Sequence, residues 1–216
     1  MKIKVCGIST RRDLLAIQDM GVEYVGFIFV PSSPRFVLNS LDAEELKLVS
    51  NVFSQTSRVG VFANENAEVV RAIANEYSLT TLQFHGDESP LDCSEFTDEF
   101  EVIKSFSIGS GSDFDKCAAY ETSCKLFVFD TAGPLLGGNG TSWDWNLISQ
   151  YSGCTPFLVS GGIGPDDISK IRLLTHNRFL GIDINSKFET APGVKNVETL
   201  IQFVRTVKTI YNEVFG

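Results

Sequence analysis

Eight short runs rich in valine, isoleucine and phenylalanine recur along this 216-residue chain, and helical patterns separate most of them. The runs lie near 2–6, 24–29, 58–63, 81–85, 101–106, 125–130, 156–160 and 180–184. A spacing of roughly 20 to 30 residues holds one strand, its turn and one covering helix, so the pattern is that of parallel βα units. Eight such units can close into a barrel or lie open as a doubly wound sheet. No run is followed by a GxGxxG turn, and eight equal units favour closure. The expected fold is therefore α/β, a single (β/α)8 TIM barrel that makes residues 1–216 one domain.

Local signals mark several helices. Asp42 can cap the second, Glu45 completes a capping box, and Leu41 with Leu46 makes a hydrophobic staple ahead of a stripe of Leu46, Val49 and Phe53. A third helix follows Asn66 with Val70, Ile73 and Tyr77 on one face, and the last follows Asn196 with Val197, Leu200, Ile201 and Val204. The fourth and sixth carry weak patterns.

Composition excludes several classes of function. Five cysteines, at 6, 93, 117, 124 and 154, form no CxxC pair and leave one unpaired, so neither a disulfide framework nor a zinc site is expected. A net charge of −9 without a basic cluster argues against nucleic acid and against an anionic membrane. The N-terminus opens into Lys2-Ile3-Lys4-Val5-Cys6, without the apolar core of a signal peptide, and a cytoplasmic protein is expected. An anionic small molecule would need cations or backbone N–H groups placed locally for it.

In such a barrel the reactive groups sit at the C-terminal ends of the strands. Cys6 ends the first run, Asn64 follows the third, Gln83 and His85 end the fourth, Asp130 ends the sixth, and Asp183 with Asn185 ends the eighth. Side chains alternate along a strand, so Lys4 shares a face with Cys6, Gln83 with His85, and Asp183 with Asn185. Closure would bring Lys4 within reach of Asp183, where a buried structural ion pair is the simplest expectation. Ser160-Gly161-Gly162-Ile163-Gly164-Pro165 after the seventh run and Asp183-Ile184-Asn185-Ser186 after the eighth have the form of phosphate loops, since glycine admits close backbone approach and free N–H groups attract an anion. Gly162, Gly164, Asn185 and Ser186 are the phosphate candidates. His176 reads as a surface residue.

At these residues the chain resembles, over essentially its whole length, the phosphoribosylanthranilate isomerase family of tryptophan biosynthesis. Lys4-Val5-Cys6-Gly7-Ile8 is similar to the family's opening strand, and Gly26-Phe27-Ile28-Phe29 with Ser33-Pro34-Arg35-Phe36-Val37 to its second strand and loop. Leu82-Gln83-Phe84-His85-Gly86-Asp87-Glu88, Phe129-Asp130-Thr131 with Gly137-Gly138-Asn139-Gly140, and Gly181-Ile182-Asp183-Ile184-Asn185-Ser186 with Glu189-Ala191-Pro192-Gly193-Val194-Lys195 follow in the family's order. Ser9 is an extra residue against that pattern, and Lys187-Phe188 replaces a more usual Gly-Val.

The resemblance implies an Amadori rearrangement of N-(5′-phosphoribosyl)anthranilate, with Cys6 as general base, Asp130 as general acid and Arg35 on the anthranilate carboxylate. Gln83 and His85 would line the substrate pocket or organise its loop, with Asp183 a further substrate-binding candidate. It implies no cofactor and no metal; the partner is one small phosphorylated substrate, with monomer and homodimer both open. Phe127, Val128 and Phe129 are expected to desolvate Asp130. Two other readings share the phosphate end: a different sugar-phosphate isomerase or epimerase, and a barrel that binds a phosphorylated ligand without turnover.

Overall fold

A computed structural model describes residues 1–45, 55–132 and 143–215, with side chains described through Tyr211. Eight parallel strands close into a barrel in chain order: β1 (Lys2–Val5), β2 (Tyr24–Ile28), β3 (Ser57–Phe62), β4 (Thr81–Phe84), β5 (Glu101–Ile108), β6 (Leu126–Thr131), β7 (Phe157–Val159) and β8 (Phe179–Ile184). Strand β8 returns to pair with β1 and sets Lys4 opposite Asp183. A small antiparallel hairpin, β9 (Glu189–Ala191) and β10 (Val194–Lys195), stands after β8.

Two-residue alternation divides the buried side chains into two bodies. Cys6, Tyr24, Val59, Val61, Ile103, Leu126, Val128 and Leu158 pack together inside the barrel. Ile3, Val5, Val25, Phe27, Phe127, Phe129, Phe157, Ile182 and Ile184 point outward and pack with the covering helices. The sixth strand shows the consequence: Phe129 contacts Tyr151 outside the barrel, with ring centroids 5.1 Å apart. Phe127 and Phe129 therefore do not wall Asp130, contrary to the expectation from their adjacency in sequence.

The outer layer is less regular than eight helices. Arg11–Ile17 is capped by the Thr10 hydroxyl, and Ala67–Glu76 by the Asn66 side chain, with Val70 and Ala74 buried. Val197–Phe215 follows Asn196 and buries Leu200, Phe203 and Val204. The segment after β5, Gly111–Tyr120, is a 3-10 helix, the one after β6, Trp145–Gln150, is another, and Pro90–Ser94 and Ile168–Ile171 are single turns. Runs of Ser, Asp and Gly at these starts favour local side-chain capping over continued α-helix, as where Asp113 Oδ2 accepts the N–H groups of Gly109 and Ser110. The Asp42–Glu45 capping box forms in both directions; Leu46, Val49, Phe53 and the stretch 137–140 lie outside the described residues.

Both departures from the family pattern have packing partners. The Ser9 hydroxyl donates to Gly193 O at 2.8 Å and so ties the loop after β1 to the β9–β10 hairpin. Phe188 is buried against Phe203, with centroids 4.8 Å apart.

Candidate active site

The C-terminal mouth of the barrel gathers Cys6, His85, Asp130, Asp183 and Asn185, each one delivered by the end of a different strand or its first loop residue except the last two, which share β8. The turn after β1 is fixed from both sides: Cys6 N–H donates to Ile184 O at 2.9 Å and Ile8 N–H to Gly26 O at 3.0 Å. Gly7 between them has φ +70°, and a Cβ there would press on the Asn185 side chain. Cys6 is 6% exposed. Burial pushes its thiol up, and the Lys4 ammonium beside it pulls the other way.

Lys4 is fully buried inside the barrel with its Nζ 2.8 Å from Asp183 Oδ2. Burial works against the ammonium, yet Asp183 and Cys6 outweigh it and raise its pKa. The second oxygen of Asp183, Oδ1, is buried with no hydrogen-bond partner among the described residues. A buried acceptor without a donor is costly, which suits an atom kept for a ligand hydroxyl.

Asp130 lies at the end of β6 with Oδ1 accepting its neighbour Thr131 N–H at 2.7 Å. Burial raises its carboxyl, with the Thr131 N–H and Lys4 pulling down. His85 Nε2 stands 3.5 Å from Asp130 Oδ2. Burial, then Lys4 and Lys104, lower the imidazole to about 4, so near neutral pH it is an uncharged polar neighbour of the Asp130 carboxyl. Gln83 sits one layer deeper: it is 1% exposed and donates Nε2 to Ser105 Oγ at 2.8 Å, leaving Oε1 buried and unpartnered among the described residues.

The phosphate candidates separate. Gly161 and Gly162 both have positive φ, +91° and +68°, which bends the loop after β7 back over the barrel. A Cβ on Gly161 would run into Thr131 Oγ1 and lie 2.9 Å from Asp130 Oδ1. Gly164 behaves differently from the expectation, because its N–H already donates to Asp167 Oδ2 at 2.8 Å in a local cap. The helix after that loop, Ile168–Ile171, is a single turn, so its own dipole is short. Ser186 opens a 3-10 turn, Ser186–Phe188, after Asn185.

Arg35, in the loop after β2, gives Nε to both oxygens of Glu189 at 3.0 and 2.9 Å and Nη2 to Oε2 at 2.8 Å. Lys195 Nζ bonds the same carboxylate at 2.9 Å and Asn185 Oδ1 at 2.7 Å. Glu189 and Lys195 carry no role in the reading of single residues, and the Glu189 to Lys195 run of the family pattern was their one signal. His176 is partly buried, with Nε2 2.9 Å from Tyr151 O, and is structural. Among the described residues no group of three or more His, Cys, Asp or Glu side chains is gathered to hold a metal ion.

The family model described as N-(5′-phosphoribosyl)anthranilate (PRA) isomerase matches residues 3–206. The N-(5′-phosphoribosyl)anthranilate isomerase of Phocaeicola vulgatus is 40% identical over 209 residues, covering 96% of this chain and 98% of that protein. Among solved structures, the phosphoribosyl anthranilate isomerase of Thermus thermophilus superposes with TM-score 0.84 at 25% identity, covering 97% of this chain and 100% of that one. A phosphoribosyl anthranilate isomerase in complex with reduced 1-(o-carboxyphenylamino)-1-deoxyribulose 5-phosphate gives TM-score 0.79 at 26% identity, covering 97% of this chain and 99% of that one.

Proposed function

Because the chain belongs to the N-(5′-phosphoribosyl)anthranilate isomerase family, we propose that Cys6 and Asp130 are the base and acid of the isomerisation that this family performs. The activity is the conversion of N-(5′-phosphoribosyl)anthranilate to 1-(2-carboxyphenylamino)-1-deoxyribulose 5-phosphate, a step in tryptophan biosynthesis. The observation that carries the residue assignment is the pairing of a buried thiol and a buried carboxyl at one barrel mouth, on strands 1 and 6.

The raised pKa of Asp130 keeps a proton on the carboxyl to higher pH than an exposed aspartate would. That proton goes to the furanose ring oxygen; the C1′–O bond breaks and the anomeric carbon becomes a protonated Schiff base. The Cys6 thiolate then removes the C2′ proton, its electron pair forms the C1′–C2′ double bond of an enolamine, and tautomerisation gives the ketone. Lys4 stabilises the thiolate, and His85, uncharged, packs beside the acid without adding a second charge. Asp183 Oδ1 accepts a sugar hydroxyl. Gln83 and Ser105 form the floor beneath, reaching substrate through His85's layer only.

At the phosphate end, the loops at Gly162 and at Asn185-Ser186 receive the anion; Gly164 is set aside because Asp167 has taken its N–H. The remaining edge of the Arg35 guanidinium, Nη1 with Nη2, has the shape of a carboxylate receptor. One barrel domain suffices for the chemistry. No helix among the described residues is long and apolar enough to cross a membrane, which fits the cytoplasmic placement we infer from the pathway.

Loss of N-(5′-phosphoribosyl)anthranilate fluorescence on adding purified protein, without metal or nucleotide, tests the activity. Turnover that survives in Asp130→Asn at more than about a tenth of wild type removes Asp130 as the acid, because general acid catalysis is worth roughly 10²–10⁴.

A further inference from the structure

We propose that Glu189 is a positioning residue that sets the enzyme's requirement for a carboxylate on the aryl amine, by holding one edge of the Arg35 guanidinium so that its other edge faces the substrate. The proposal rests on the assignment of Arg35 to that carboxylate.

A guanidinium offers two parallel-donor edges, one from Nε and Nη2 and one from Nη1 and Nη2. Glu189 takes the first at 2.8 to 3.0 Å. No partner for Nη1 is found among the described residues, so the second edge is left for a ligand. The grip is rigid: the side chains of Arg35 and Glu189 are 13% and 3% exposed, and Lys195, fully buried, clamps the same carboxylate from the other side at 2.9 Å. Lys195 in turn bonds Asn185 Oδ1, while its backbone N–H donates to Asp13 Oδ2 at 2.9 Å. The Ser9 bond to Gly193 fastens the hairpin to the loop that follows the catalytic strand β1. Arg35 packs over that loop, since a Cβ on Gly7 would lie 3.1 Å from its Cδ.

With Glu189 held on the Nε–Nη2 edge and backed by Lys195, the Nη1–Nη2 edge of Arg35 is the part of the guanidinium left for an anionic group. An arginine pre-set in one rotamer also spends less ordering entropy when it binds. A purely structural ion pair would give neither effect a substrate preference, and this difference is measurable.

The test compares kcat and KM on N-(5′-phosphoribosyl)anthranilate and on the analogue made from aniline, which lacks the carboxylate. Wild type, Glu189→Gln, Glu189→Asp, Arg35→Ala and the Arg35→Ala/Glu189→Gln double variant are assayed. In Glu189→Gln the natural substrate's KM rises at least about tenfold, with a smaller fall in kcat, because one charge-assisted bond becomes an N–H facing an N–H. On the aniline analogue kcat/KM changes less than about threefold, and the double variant is no worse than Arg35→Ala. Equal losses on both substrates, or none, overturn the proposal. Glu189→Asp keeps the charge with shorter reach and serves if the glutamine variant does not fold: its preference for the carboxylated substrate falls too, and wild-type preference in it overturns the proposal. If Arg35→Ala itself keeps full preference, the assignment of Arg35 is what fails; if Arg35→Ala loses it and neither Glu189 variant does, the role of Glu189 alone is wrong.

Discussion

Gly26 on β2 faces the Cys6 thiol so closely that a Cβ there would lie 2.7 Å from Sγ and 3.2 Å from Lys4 Nζ. The glycine is thus the seat of both the proposed base and its cation. Gly26→Ala forces one of them to move. We expect a cost of about 1–3 kcal/mol in urea unfolding, as for an overpacked core. A displaced base lowers kcat/KM by a further factor of about 10 to 100, since misplacement by an ångström can cost about that much. Wild-type kcat in a folded Gly26→Ala enzyme would mean that the thiol does not need this seat.

The proposed base and acid predict a bell-shaped pH dependence of the rate. On that assignment Cys6 must be deprotonated and Asp130 protonated; burial raises both groups, and a thiol is ordinarily the weaker acid of the two. The competent form is therefore a minority state of constant fraction between the two pKa values. Activity falls as pH drops through the pKa of Asp130, because the thiolate is then lost, and falls again as pH rises through that of Cys6, because the carboxyl proton is then lost. Cys6→Ser loses most activity throughout, since a hydroxyl supplies almost no anion near neutrality. In Asp130→Asn the residual rate should climb with pH up to the pKa of Cys6 and not fall beyond it, and an alkaline limb unchanged from wild type would assign the lost proton to another group.

Breaking the Lys4–Asp183 pair costs stability and activity together. Lys4→Met leaves the Asp183 carboxylate buried and uncompensated, which we expect to cost about 3–5 kcal/mol. Lys4→Met/Asp183→Leu recovers much of that, because neither charge is then stranded. The double variant stays inactive, having lost the thiolate's cation and the proposed sugar-hydroxyl acceptor. Denaturant melts and kcat on the same preparations separate the two effects; an active double variant would make the pair structural only.

On the proposed placement of the phosphate, a carboxylate at Gly162 opposes it by bulk and by charge. Gly162→Asp is also strained at φ +68°. KM for the substrate rises at least about tenfold, and competition by inorganic phosphate weakens in parallel. Unchanged KM and unchanged phosphate inhibition in a folded variant would place the phosphate elsewhere.

Much of the framework could be read from the chain because it is local. Strand alternation has a period of two residues, so Lys4 and Cys6, or Gln83 and His85, are assigned to one face before any contact is known. Closure of eight units then makes β1 and β8 neighbours, and the Lys4–Asp183 pair follows from that alone. The Asp42–Glu45 box and the Asn66 cap are likewise short-range bonds between residues a turn apart.

Alternation by itself also determines that Val128 lies inside with Asp130 while Phe127 and Phe129 pack outside, although adjacency suggested otherwise. Which group satisfies which across the loops was settled by the folded chain. Asp167 takes the Gly164 N–H, short turns and 3-10 segments replace several outer helices, and Glu189 meets Arg35 across 154 residues of sequence. Loop conformations carry no periodic signal, and a bond between distant loops forms only after the barrel has fixed where both begin. The placement of Cys6 and Asp130 at strand ends was therefore visible in the strands, whereas the orientation of Arg35, which we propose faces the substrate, depended on the folded whole.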